Sequence, residues 1–189
     1  MIIGISGPMH VGKTAIAKAI VNEFMFVERA PLAQGVRDIA TKLSLPHTRT
    51  NLQGIGHNMR QLDEDVWVNL WKKSHDFSSR NKVIDDVRYQ NEVDLCDVHI
   101  RLTCKPSDQW DRYQTSDKFD PTVAQSDWTA GTFHTTENQA LITPTNDTLL
   151  MDTHDWDADG VAKAAIEFLS PRLQAKEPWL ESVYETVGG

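Results

Sequence analysis

The chain has 189 residues, 40% of them hydrophobic and 24% charged, which suffices for one domain with a real core. Nineteen Lys and Arg stand against 27 Asp and Glu, a net charge of −8, so the basic footprint of a dedicated nucleic-acid binder is missing. No run approaches the ~20 apolar residues that span a bilayer, and the opening MIIGISG has no basic segment ahead of an apolar one. Cys96 and Cys104 lie in no metal or redox spacing, so a cytoplasmic protein with reduced structural thiols is expected.

In chain order, residues 1–6 are a short apolar run ending towards glycine, the pattern of a buried strand. Residues 13–26 place Ile16, Ala19, Ile20 and Phe24 at helical spacing. Phe26 and Val27 suggest a second strand, and Pro31 suits the first turn of a helix over 32–43. Residues 44–56, punctuated by a proline and two glycines, read as a loop with a short helical piece. One long helix is expected over 57–77, with Trp67 and Trp71 beside its apolar stripe as packing residues. Residues 82–87 and 98–103 are strands. The polar stretch from Pro106 to about Gly131 reads as a mobile segment, since loops longer than ~12–15 residues are usually functional or disordered. A last strand at 148–151 and a closing helix at 156–169 follow, with a further amphipathic helix expected in the tail beyond Pro171. Alternating strands and helices imply an α/β protein with a mostly parallel sheet covered on both faces.

The chemistry begins at Gly7-Pro8-Met9-His10-Val11-Gly12-Lys13-Thr14, which fits G-x-x-x-x-G-K-[ST] without a mismatch, between a strand and a helix. A loop curled around phosphate must aim backbone N–H groups inward, and glycines permit that approach. Lys13 can reach the β- and γ-phosphates of ATP, and the Thr14 hydroxyl can ligate Mg²⁺. The expected ATP-binding set is therefore Gly7, His10, Val11, Gly12, Lys13 and Thr14, within a three-layer P-loop NTPase-type sandwich.

Such a protein needs a carboxylate at the end of a neighbouring strand, and Val83-Ile84-Asp85-Asp86-Val87-Arg88 supplies one. Simple strand alternation puts Asp86 and Arg88 on one face, suited to a cleft where metal and substrate phosphate meet, and Asp85 on the other; Asp86 with Thr14 is the expected metal pair, with Asp85 left as the open alternative. Lys13, Asp86 and Arg88 are the expected catalytic residues.

The run Asp86-Val87-Arg88-Tyr89-Gln90-Asn91-Glu92 resembles the Asp-Val-Arg-Phe-x-Asn-Glu signature of phage-type deoxynucleoside monophosphate kinases. Arg49, Leu52-Gln53, Gly56 and Arg60 are similar to a second segment of that family, His134 and Glu137 to a third, and Thr145-Asn146-Asp147-Thr148-Leu149 to the entry of its last strand. The resemblance covers roughly residues 1–165. It implies transfer of the ATP γ-phosphoryl, with Mg²⁺, to a deoxynucleoside 5′-monophosphate. It also implies one kinase domain over 1–189, with a helical substrate-binding insertion at about 30–78 and a lid at about 106–133.

Under that reading Arg88 and Arg60 clamp the acceptor phosphate. Arg49, Gln53, Trp67, Glu92, His134 and Glu137 line the acceptor site, with Trp67 or Phe26 at the base-pocket wall, and Arg112 and Lys118 close over ATP. Two departures stand out. Ala30-Pro31-Leu32-Ala33-Gln34 lacks the family's lysine, so that cation is either missing or supplied from elsewhere, with Arg37 the candidate, and the lid is poor in arginine. The competing readings are a P-loop kinase for another phosphorylated acceptor, of the animal phosphomevalonate kinase kind, and a nucleotide-driven switch or assembly ATPase. The acidic surface and the tryptophan-bearing helix are compatible with a homodimer.

Overall fold

The computed structural model describes residues 1–75, 80–116, 119–122, 125, 142–145, 147–154 and 157–176. The expected roles of Lys118, His134 and Glu137, and the tail helix beyond residue 176, fall outside the described residues.

Five strands, β1 (Ile2–Ser6), β2 (Val27–Arg29), β3 (Asn81–Val87), β4 (Val98–Thr103) and β5 (Thr148–Asp152), form one sheet in the order β2-β3-β1-β4-β5. Every neighbouring pair is parallel. On one face, α1 (Lys13–Glu23) and α7 (Ala158–Lys176) cover a core built from Ile3, Ile5, Val83, Ile100 and Leu102 of the sheet and Ile16, Ile20, Leu169 and Leu173 of the helices. The other face carries Ile84, Val87 and Val93 with Ala30, Leu32 and Trp71. It is covered by α2 (Ala33–Lys42), α4 (Val66–Ser74) and the short α5 (Gln90–Asp94). Each fully buried Ile or Leu contributes about 1.5–3 kcal/mol. The layers are helix, parallel sheet, helix, so all five strands point their C-terminal ends at one edge.

Four expectations about elements are corrected. The glycine-bearing segment 49–56 holds more than a short helical piece: α3 (Arg49–Leu62) runs through Gly54 and Gly56, started by the Thr48 hydroxyl, which accepts from the Asn51 N–H at 3.3 Å. The long helix expected over 57–77 breaks at Asp63, whose side chain takes the Asp65 N–H at 2.9 Å before α4 begins. The closing helix continues past Pro171 to Lys176, because Leu169 and Leu173, on either side of the proline, are both fully buried. The start of the expected mobile segment is itself ordered as α6 (Pro106–Gln114).

His99 on β4 is buried, with Nε2 2.8 Å from Ser6 Oγ and Nδ1 lacking any hydrogen-bond partner. Burial, helped by the nearby Arg101 charge, lowers its pKa from 6.5 to about 4. The unfolded chain binds this proton first, so the stability His99 contributes is complete above pH 6.5 and is lost as pH falls towards 4. The loss reaches about 2 kcal/mol near pH 5. Urea midpoints measured across that interval should fall for the native chain and fall less for His99→Gln; equal slopes contradict the assignment.

Candidate active site

The loop after β1 is shaped by backbone sterics. Gly7 has φ 145°, and a Cβ there would lie 2.7 Å from the Leu102 carbonyl oxygen. Gly12, at φ 104°, needs a left-handed conformation that a side chain would strain, although no atom crowds it. His10 is also left-handed, at φ 57°, with its ring 5.3 Å from that of Tyr113. Val11 is buried in the core, so its contribution to the loop is its backbone. The Lys13 ammonium donates to the carbonyls of Gly7 and Pro8, both at 2.6 Å, and so lies inside the curl of the loop.

The carboxylate beside Thr14 is Asp85, not Asp86. Thr14 Oγ1 donates to Asp85 Oδ2 at 2.8 Å, and Arg29 Nε donates to Asp85 Oδ1 at 2.9 Å. Asp86 points to the other face, where its two oxygens accept the Leu32 and Ala33 N–H groups at 2.9 and 2.8 Å and cap α2. Burial pushes the Asp86 carboxyl pKa upward, with the Ala33 N–H pulling against it. Alternation holds from Val83 to Asp86: Val83 packs in the α1 core and Ile84 in the core on the other face. The register slip between Gly4 and Ser6, which pair with Ile84 and Val87, instead turns Val87 back to the face of Ile84. Val83 already faces the α1 core, and Asp85, two residues on, stays on that face with Thr14.

The expected acceptor residues divide into those placed at the same edge and those spent on structure. Arg49, Gln53, Gly56 and Arg60 fall at i, i+4, i+7 and i+11 and form one row along α3. At one end Arg49 Nη1 lies 2.9 Å from the Met9 sulfur at the loop tip. At the other, Arg60 Nη2 donates to Glu92 Oε1 at 2.7 Å while its guanidinium covers the Tyr89 ring at 4.1 Å.

Glu92 is buried, and its second oxygen accepts the Arg88 and Tyr89 N–H groups at 2.7 and 3.2 Å. Burial raises its carboxyl pKa, and Arg60 opposes that. Arg60 and Glu92 thus tie α3 to the start of α5 rather than standing open to an acceptor. Trp67 is also corrected: it is 2% exposed and donates Nε1 to the Gly56 carbonyl at 3.1 Å, so it is a core residue. Phe26 packs with Phe24 against the α1 core, remote from any base-pocket role. Arg88 lines a cleft of about 660 Å³ together with His57, Arg60, Gln61, Tyr89 and Ile142.

Arg112 on α6 is a strut. It donates to Thr153 Oγ1 at 2.9 Å and to the Thr153 carbonyl at 2.6 Å, and approaches the Val11 carbonyl at 3.5 Å. One turn earlier, Asp108 Oδ2 pairs with His154 Nδ1 at 2.6 Å. Lys105 bonds His154 Nε2, and an ammonium only donates, so the ring proton sits on Nδ1 facing Asp108. Gln109 donates to the Met9 carbonyl at 2.9 Å. Helix α6 therefore clamps the phosphate loop to the end of β5.

Sequence reasoning missed Arg29. Arg37 lies within α2, and the cation that touches the site is Arg29, the last residue of β2. Its only sequence signal is that position, at the C-terminal end of the strand that follows β1 in the chain.

A strand–loop–helix phosphate cradle at the C-terminal edge of a parallel sheet, with a carboxylate from the adjacent strand on the loop threonine, defines a P-loop kinase-like fold. The chain belongs to the AAA domain family, whose profile matches residues 3–130. No curated protein matches the sequence. Among solved structures it is similar to a tunicamycin resistance protein of Deinococcus radiodurans, at 14% identity and TM-score 0.56, covering 90% of this chain and 94% of that one. It is also similar to a shikimate kinase of Bacteroides thetaiotaomicron, at 13% identity and TM-score 0.53 with coverages of 90% and 98%. A gluconokinase of Sinorhizobium meliloti 1021 matches at 13% identity and TM-score 0.50, with coverages of 95% and 96%. Identities this low establish the shared fold. No described helix is long and apolar enough to cross a membrane.

Proposed function

We propose that this chain transfers the γ-phosphoryl group of ATP to a small phosphorylated acceptor, and that the acceptor is a deoxynucleoside 5′-monophosphate. The observation that carries the reading is the pairing of two sets of groups at one sheet edge. Lys13, Thr14 and Asp85 stand on the phosphate-loop side, while Arg88 and the α3 row, which reaches the loop through Arg49, stand opposite. Structural relatives that phosphorylate small molecules, the shikimate kinase and the gluconokinase, support the general reaction. The Asp86–Glu92 run and the Arg49–Arg60 row support the acceptor class.

The residues present suit Mg²⁺: Thr14 Oγ1 and Asp85 Oδ2, 2.8 Å apart, are an oxygen-only pair of the kind hard cations take. When bound there with ATP, the ion would neutralise charge on the β- and γ-phosphates. Lys13 exchanges the neutral Gly7 and Pro8 carbonyls for charged phosphate oxygens, which stabilises the transferring group. The loop N–H groups and the N-terminus of α1 hold the remaining phosphate charge. An acceptor phosphate is already a nucleophile at neutral pH, so no general base is needed. Arg88 grips that phosphate with its planar fork, and Gln53 lies between Arg49 and Arg60 in the α3 row.

Arg88→Ala separates the two sides of the reaction. It should raise the KM of a deoxynucleoside monophosphate by about 10–100-fold while the dissociation constant of ATP stays within about twofold, since one charge-assisted bidentate contact is lost on the acceptor alone. Kinetics with either substrate varied, beside calorimetric titration of ATP, check it. Equal loss of ATP affinity places Arg88 on the donor side and contradicts the assignment.

A further inference from the structure

We propose that Gln90 is a positioning residue for the acceptor: it holds the chain at Ile142–Thr143 as a fixed wall of the cleft that Arg88 lines. The inference rests on the reading of that cleft as the acceptor site. Among the described residues lining the cleft, Ile142 is the one aliphatic side chain, set among Arg88, Tyr89, Gln90 and other polar groups. It is 2% exposed and packs on Trp71, Ile84, Val87 and Val93 beneath.

This wall has no secondary structure of its own. Residues 142–145 belong to neither a helix nor a strand, so their backbone groups have no ladder to bond into. Side chains of two other elements take its place. Arg101 of β4 donates Nη1 to the Ile142 carbonyl at 3.1 Å, and Gln90 of α5 accepts the Thr143 N–H on Oε1 at 2.8 Å. Pro144 has a fixed φ and biases Thr143 before it to extended conformations, so anchoring one peptide sets the direction of the segment.

Gln90 is itself oriented. Its Nε2 donates to Asp94 Oδ1, one turn on, at 2.8 Å, which leaves Oε1 to face Thr143. Its backbone follows directly on Arg88 and Tyr89, whose N–H groups are both held by the buried Glu92 carboxylate. The phosphate-gripping residue and the anchor of the wall therefore stand two positions apart on one braced turn. Their spacing is set before an acceptor arrives, so binding does not have to order the wall. Without the Gln90 oxygen the segment keeps its Arg101 bond but is released at Thr143, and the acceptor must order it on entry.

Three measurements on the full chain test this: steady-state kinetics with the deoxynucleoside monophosphate that best stimulates ADP release, amide hydrogen exchange over the peptide carrying Thr143, and calorimetric titration of ATP. Gln90→Ala should speed exchange at Thr143 and raise the acceptor KM by about 3–10-fold, the size of one lost hydrogen bond. Its kcat should stay within about twofold and its ATP affinity should not change, because the contact supports acceptor and transition state alike. Gln90→Glu keeps an oxygen for Thr143 but sets a second carboxylate beside Asp94. Adding Asp94→Asn to it restores a donor–acceptor pair between positions 90 and 94, and should return KM and exchange close to native values.

A Gln90→Ala protein with native circular dichroism, faster exchange at Thr143 and an unchanged KM overturns the proposal, since the wall is then held but not used. Unchanged exchange at Thr143 overturns it as well, because Gln90 then does not hold the wall. Both results leave the acceptor reading standing as long as the native chain responds to a deoxynucleoside monophosphate. A native chain that responds to none of them overturns that reading and this inference with it.

Discussion

Lys13→Ala is expected to lower kcat by roughly 10³-fold or more, with the thermal midpoint little changed. The size follows from what Lys13 does. Phosphoryl transfer involves almost no covalent work by the protein, so the rate depends on positive charge aimed at the transferring oxygens. In this chain the ammonium is already inside the loop, 2.6 Å from two carbonyls, and needs no large rearrangement to meet a phosphate. Removing it takes away the charge and leaves those two carbonyls to water. The β1 and α1 core beneath, with Ile3, Ile5, Ile16 and Ile20, is untouched. Single-turnover kinetics under saturating ATP check the chemical step directly. Near-normal turnover in Lys13→Ala removes the ATP site from this loop.

The second large effect is a contrast between neighbours. Asp85→Asn should lower kcat by roughly 10²–10³-fold while the fold persists, because the amide is isosteric but cannot carry the charge. Asp86→Ala should leave the chemistry largely in place and cost about 1–3 kcal/mol of stability, since it strips the acceptor from two N–H groups at the start of α2. Parallel kinetics and urea denaturation of the two variants check both halves. The reverse pattern, with activity lost at 86 and stability lost at 85, contradicts the assignment of these carboxylates. Because the two residues are adjacent, a general disturbance of β3 cannot mimic the split.

That pair also shows how much of the site was legible beforehand. The phosphate loop, the strands on either side of it and the α/β class follow from local pattern, and the sheet carries them where expected. Choosing Asp86 over Asp85 rested on a face shared with Arg88; alternation itself holds over Val83 to Asp86, and packing against α1 decides which face meets the loop. That packing is a property of the strand and the helix together, with no trace in either alone. Arg60 and Glu92 do not stand as open side chains, because each finds its counter-charge 32 residues away. Arg29 depends in the same way on β2 lying beside β3.

Helix α3 was hidden by its own glycines. Gly54 and Gly56 look like loop punctuation, yet the Gly56 carbonyl is where Trp67 and Arg60 anchor, and the surrounding packing outweighs the poor helix propensity. Pro171 deceived for the same reason, since burial of Leu173 carries the helix past it. Local signals failed where a contact distant in sequence decides the outcome. They succeeded where the chemistry is contained in one loop.

The measurement that bears most directly on the central claim is ADP release from Mg-ATP, coupled to a spectroscopic readout and run with and without acceptors. The panel comprises dTMP, dGMP, dCMP, dAMP, 5-substituted deoxypyrimidine monophosphates, the ribonucleotides and phosphomevalonate. The account predicts slow release with ATP alone, and strong stimulation by at least one deoxynucleoside monophosphate with a matching yield of the diphosphate. ADP release that is indifferent to every acceptor contradicts it, and assigns the site to nucleotide-driven switching or assembly instead.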